Sequence, residues 1–167
     1  MLTDRPARLP TFSYTGRHRY FLTFCTHDRA PLFVLPEHVQ VVLEQIVRVA
    51  EEQQFAIPAY CFMPDHVHIV NEGLDECANL KSFVKLAKQC SGFHFRRRFG
   101  ATLWQRYLYE HVVRDDETTE AIVAYVVENP LRARLVKRIE DYPFVGSCTM
   151  TRSDLFASVS AIRSRSA

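Results

Sequence analysis

A chain that reads Met63-Pro64-Asp65-His66-Val67-His68-Ile69-Val70 has little freedom at that point. An extended strand sends alternate side chains to opposite faces. His66 and His68 therefore share one face, and Val67 and Ile69 point into a core on the other. Pro64-Asp65 supplies turn chemistry just ahead of the strand. Two imidazoles placed side by side can ligate one divalent cation. They are equally the surface residues of an ordinary strand, and what separates these readings lies downstream.

The rest of the chain supplies a sheet for this strand. Residues 19–26 are aromatic and β-favouring and read as a first strand. Residues 37–53 place Val39, Val42, Leu43, Ile46, Val47 and Ala50 on one helical stripe, with Pro36 suited to the first turn. Residues 55–62 form a second strand, paired as a hairpin with 66–71. Asn79 is placed to cap a second helix running to about residue 98, and Gly100 is its stop. A fourth strand spans 103–114. A third helix spans 115–129, where the acidic start suits the positive end of the helix dipole. Pro130 ends or kinks it at Asn129, and 130–139 reads as a short basic helix.

This order, β-α-β-β-α-β, predicts an α+β chain with a ferredoxin-like (RRM-like) antiparallel sheet. Two long helices cover one face, additional C-terminal helices follow, and the histidine face is expected to stay open. Residues 1–16 read as a flexible arm and 17–148 as a single domain. Residues 149–167, rich in Ser and Arg, read as a weakly ordered tail.

Composition narrows the setting. A chain of 167 residues fits one domain. No apolar run reaches the roughly 18 residues that span a bilayer, and residues 1–10 lack the apolar core of a signal peptide. Five cysteines without paired spacing suit reduced thiols in a cytoplasm. Net charge is only +2, but Arg96-Arg97-Arg98 and Arg132, Arg134, Lys137 and Arg138 form basic clusters. Lys81, Lys85 and Lys88 share a helical face. Such patches can hold a phosphate backbone without a large net charge.

The downstream constellation is Tyr125 and Asn129, four apart on the third helix and so on one face. A tyrosine phenol can attack phosphorus when a metal polarises the phosphate. An asparagine amide oxygen can join two imidazoles as a third ligand, leaving open positions for substrate. Alone, Tyr125 reads as a packing residue and Asn129 as a helix end.

Three blocks together carry a resemblance. Met63-Pro64-Asp65-His66-Val67-His68 contains the His-hydrophobic-His triplet. Trp104-Gln105-Arg106 and then Glu110-His111-Val112-Val113-Arg114-Asp115 form a second block. The third is Tyr125-Val126-Val127-Glu128-Asn129-Pro130-Leu131-Arg132-Ala133. In this order and spacing the chain resembles the REP-associated tyrosine transposases, a branch of the HUH single-tyrosine transposases. The similarity runs from about Gly16 to Tyr142. It departs at Tyr107, where a basic residue is common, and at Val145-Gly146, which interrupt a Pro-Trp-Ser-Ser-like stretch.

The resemblance implies that His66, His68 and Asn129 hold Mg²⁺ or Mn²⁺ and that Tyr125 is the nucleophile. It implies a cytoplasmic enzyme that cuts and rejoins single-stranded DNA beside hairpin-forming palindromic repeats. A 5′-phosphotyrosine would be its intermediate. Lys81, Lys85, Lys88, Arg96, Arg97, Arg98, Arg132 and Arg134 are then the candidate nucleic-acid contacts. The oligomeric state stays open between monomer and homodimer. The rival reading is a non-catalytic single-stranded nucleic-acid binding module, with Tyr20, Phe24, Tyr60 and Phe62 stacking bases on the open sheet face. A zinc hydrolase is a third reading, since imidazole suits zinc.

Overall fold

The computed structural model describes residues 12–113 and 118–166. Its strands are β1 (Arg19–Thr26), β2 (Phe55–Met63), β3 (His66–Gly73), β4 (Trp104–Val112) and β5 (Val145–Gly146). They form one sheet in the order β4-β1-β3-β2-β5. Every named pairing is antiparallel, and β3 sits at the centre between β1 and β2. The hairpin between β2 and β3 closes on Met63 opposite His66, with Pro64 and Asp65 as its turn. The ferredoxin-like expectation is therefore met.

Helices α1 (Pro36–Glu52) and α2 (Leu80–Phe99) cover one face. Val42, Ile46 and Val49 of α1 and Phe83, Ala87 and Phe95 of α2 pack on Leu22, Phe24, Phe62, Val67 and Ile69. Asn79 caps α2, its side chain accepting from the Ser82 N–H at 3.1 Å. Gly100 ends the helix at φ 72°, a left-handed conformation that glycine adopts at little steric cost.

The opposite face is not open. Helix α3 (Thr119–Val127) and helix α5 (Arg152–Ser166) lie on that side. Val123, Val126 and Val127 of α3 and Leu155 and Val159 of α5 form a second core with Ala59, Cys61, Met63 and Val70 of the sheet. Two expectations change with it. The weakly ordered tail is corrected: residues 152–166 are helical, and Leu155 and Val159 are fully buried because they sit one turn apart on one stripe. The stacking platform is corrected too. Tyr20, Phe24 and Phe62 lie on the α1/α2 side and are fully buried, and Tyr60 packs against Phe62.

The segment after α3 also differs from expectation. Helix α3 ends at Val127, Glu128 follows, and helix α4 (Asn129–Arg132) lasts four residues. Arg134 then takes a positive φ of 57°, which ends the helix well short of residue 139. Thr118, not an earlier acidic residue, caps α3 by accepting from the Ala121 N–H. The acidic start read over Asp115, Asp116 and Glu117 lies outside the described residues. Among the described residues, no helix is long and apolar enough to cross a membrane.

Candidate active site

The central strand delivers both imidazoles to the α3 side of the sheet. In register, His66 faces Cys25 of β1 and His68 faces Thr23. The two Nε2 atoms stand 3.1 Å apart, and the ring planes cross at 80°. Each Nδ1 already has a partner. His66 Nδ1 lies 2.6 Å from Asp65 Oδ1, and His68 Nδ1 lies 2.8 Å from Thr23 Oγ1. Arg29 Nε holds the other oxygen of Asp65 at 2.8 Å, and its Nη1 donates to Cys25 Sγ. Asp28 and Arg29 both adopt positive φ in the turn after β1. This conformation is costly for residues other than glycine, and here surrounding contacts retain it.

These partners fix protons. A carboxylate only accepts, so His66 carries its hydrogen on Nδ1 and turns a lone pair outward at Nε2. Where Thr23 accepts from His68 Nδ1–H, His68 does the same. Two lone pairs at 3.1 Å then face each other and repel unless something positive lies between them. Two nitrogens each about 2.1 Å from one cation, at roughly a right angle, are separated by about 3 Å. The pair fits a divalent ion, and Asp65 and Thr23 are the outer partners such ligands require.

Burial favours the neutral rings. His68 is 5% exposed, and desolvation lowers its pKa to about 3, with His66 and Arg29 acting in the same direction and Asp65 opposing. Desolvation also lowers His66, against the hydrogen bond and charge of Asp65. Neutral imidazoles are the form that binds metal.

Helix α3 brings in Tyr125. Its neighbours Val123, Ala124, Val126 and Val127 are buried against the sheet, while Tyr125 is half-buried. Its ring centre lies 6.5 Å from that of His68. Phe21 of β1 packs against both, at 5.3 Å from His68 and 5.8 Å from Tyr125. Asn129 follows one turn later. Its amide nitrogen donates to the Tyr125 carbonyl at 2.9 Å, so the oxygen is the end left to offer a cation. Among the described residues, no set of three or more His, Cys, Asp or Glu side chains gathers to hold a metal. The histidine pair therefore needs ligands of another kind, such as an amide oxygen or a phosphate.

The basic candidates separate. Lys81 and Lys85 are exposed on α2, and Arg96, Arg97 and Arg98 are exposed on its last turn. Lys88 is not on that surface. Its ammonium donates to the carbonyls of Gln105 and Arg106, and desolvation lowers its pKa. It ties α2 to β4, which corrects its place among the nucleic-acid contacts. Arg134 is exposed. Arg132 is exposed too, but its guanidinium lies over the Tyr125 ring, 4.5 Å from the centroid. Thr23, Phe21 and Arg29 carry no sequence signal of their own. Asp65 does, as the residue directly before His66.

The family model for IS200-like transposases matches residues 14–129. That span takes in both histidines and Tyr125 and ends on Asn129. The REP-associated tyrosine transposase of Escherichia coli is 28% identical over 129 residues, covering 75% of this chain and 73% of that protein. A Haemophilus influenzae protein provisionally given the same name is 27% identical over 142 residues, covering 78% of this chain and 80% of its own length. The solved structure of a REP-associated tyrosine transposase bound to a REP hairpin superposes with a TM-score of 0.67 at 24% identity. It covers 80% of this chain and 79% of that one.

Proposed function

We propose that this chain, which belongs to the IS200-like transposase family, cuts and rejoins single-stranded DNA through Tyr125. The observation that carries this reading is the meeting of His68 of β3, Phe21 of β1 and Tyr125 of α3, with His66 beside His68. The phenol oxygen attacks the phosphorus of a phosphodiester. A P–O bond forms to Tyr125, the bond to the 3′ oxygen breaks, and the departing oxygen takes up a proton as the phenol loses one. The product is a 5′-phosphotyrosine and a free 3′-hydroxyl. The 3′-hydroxyl of another strand then attacks the same phosphorus and releases the tyrosine. The linkage energy is conserved, so no nucleotide cofactor is needed.

His66 and His68 would hold a divalent ion, Mg²⁺ or Mn²⁺, with Asn129 as the third protein ligand. When bound, the ion polarises the scissile phosphate and offsets its developing charge. The chain's own contribution is orientation. Asp65 and Thr23 aim the imidazoles, Phe21 spaces Tyr125 from them, and the buried valines of α3 keep the helix on the sheet. The substrate is DNA carrying palindromic repeats that fold into hairpins, as in the solved relative, and the site of action is the cytoplasm. Lys81, Lys85, Arg96, Arg97, Arg98 and Arg134 supply the sequence-independent hold on phosphates.

The deciding experiment is mass analysis of protein incubated with Mn²⁺ and a hairpin oligonucleotide carrying a single-stranded flank. The Tyr125 peptide gains the mass of the downstream fragment. An adduct on Tyr107 or Tyr109 names a different nucleophile. Cleavage with no adduct on any residue means metal-assisted hydrolysis and overturns the reading.

A further inference from the structure

The sequence places Arg132 among the residues that grip DNA. The structure puts it elsewhere. Its guanidinium carbon lies 4.5 Å from the centre of the Tyr125 ring, inside the range of an effective cation–π contact. In a straight helix two residues seven apart share a face but stand about 10 Å apart along the axis. Glu128 separates α3 from the short α4, where Pro130 is buried, and the arginine side chain reaches back over that gap.

The guanidinium is itself held. Glu128, one turn before Arg132, receives it on Oε2 at 3.6 Å. The other oxygen of Glu128 pairs with Arg163 of α5. The Glu128 side chain is only 13% exposed, so this carboxylate is screened less than a surface one. The chain of contacts runs from α5 through Glu128 and Arg132 to the ring of Tyr125. Phe21 meets the same ring in a T-shaped contact, with centroids 5.8 Å apart. The Tyr125 ring thus touches both a cation and an aromatic, and its centre lies 6.5 Å from that of His68.

We infer that Arg132 is a positioning residue for the nucleophile and not a backbone contact. It fixes the plane of the Tyr125 ring before DNA arrives, so that the oxygen meets phosphorus without a search. This rests on the assignment of Tyr125 as nucleophile. Losing such alignment costs a rate factor of about tenfold to a hundredfold, the scale for a reacting group displaced by about 1 Å.

The test uses the full chain and three variants, Arg132→Gln, Arg132→Lys and Glu128→Gln. Adduct formation is measured in single turnover at saturating hairpin DNA, and binding is measured across a salt series. Arg132→Gln is expected to slow adduct formation about tenfold or more while affinity and salt slope stay at the wild-type values. Arg132→Lys keeps a cation without the planar fork and recovers part of the rate. Glu128→Gln lies between the wild type and Arg132→Gln. The opposite pattern overturns the inference: wild-type rate at saturation, with weaker binding and a slope shallower by about 0.7–0.9, marks a lost phosphate contact.

A second readout needs no catalysis. In protein carrying ¹³C-labelled tyrosine, the Tyr125 ring signal is identified by its loss in Tyr125→Phe. Arg132→Gln is expected to shift that signal and sharpen it through freer ring flipping. An unmoved signal overturns the inference even where the wild type forms its adduct. A shifted signal in a protein that forms no adduct leaves the contact standing and removes the proposed chemistry instead.

Discussion

Thr23 Oγ1 and His68 Nδ1 meet at 2.8 Å across the central strand pair, in a part of the sheet closed to solvent. That contact decides which nitrogen of His68 is turned toward His66. Thr23→Val keeps the shape and removes the hydroxyl that pairs with Nδ1. Its expected effect is a roughly 10- to 100-fold loss of Mn²⁺ affinity, the usual cost of removing an outer partner of a metal ligand. Titration followed by the spin resonance of free Mn²⁺ measures it. Unchanged affinity would show that the imidazole orients without Thr23.

His66→Ala and His68→Ala remove the pair itself. Each is expected to abolish strand cleavage and leave hairpin binding within about twofold, because the proposed phosphate contacts lie on other elements. Chelation of the wild type should reproduce the loss, and added Mg²⁺ or Mn²⁺ should reverse it. Full-rate cleavage in excess EDTA would remove the metal from the mechanism.

Acid should destabilise the metal-free fold through the same two rings. Burial lowers the folded-state pKa of His68 to about 3 and that of His66 in the same direction, while an unfolded histidine titrates near about 6.5. Below about pH 6.5 the unfolded chain binds protons that the folded chain refuses, so stability is complete above that pH and lost as pH falls toward 3. The slope reaches about 1.4 kcal/mol per pH unit for each such proton. Urea unfolding between pH 7 and pH 4 measures it, and His68→Gln should flatten the dependence. Equal slopes in the variant and the wild type would place the acid sensitivity elsewhere.

The basic residues of α2 should divide by experiment as they do in space. Replacing Arg96, Arg97 and Arg98 together by alanine is expected to make the salt dependence of hairpin binding shallower. Lys88→Met should leave that slope unchanged and instead cost about 0.5–1.5 kcal/mol, since the carbonyls of Gln105 and Arg106 lose a half-buried donor. A changed slope in Lys88→Met would return this lysine to the DNA surface.

How far the sequence reached depends on what kind of pattern each feature leaves. Alternation over β3 and the apolar stripe of α1 are local, so strand, helix and hairpin were readable from them. Period two says which residues share a face, however, not what covers it. Hence alternation alone allows Tyr20, Phe24 and Phe62 an open platform, as in the rival reading, whereas they lie buried on the side that α1 and α2 cover. The covering of the opposite face was hidden because α5 contributes so few apolar residues: Leu155 and Val159 alone are fully buried there. Lys88 failed for a related reason. Helical spacing groups it with Lys81 and Lys85, but its ammonium donates to two carbonyls of β4. The candidate site was legible where motif residues are close in sequence, as with His66 and His68. Thr23 was not, because its role exists only through strand register.

Every group of the candidate site, from Asp65 to Tyr125, belongs to a single polypeptide. A site complete within one chain is not restored by mixing chains disabled in different places, and activity regained on mixing would show that two copies share it. Tyr125→Phe mixed with His68→Ala should remain as inactive as either alone.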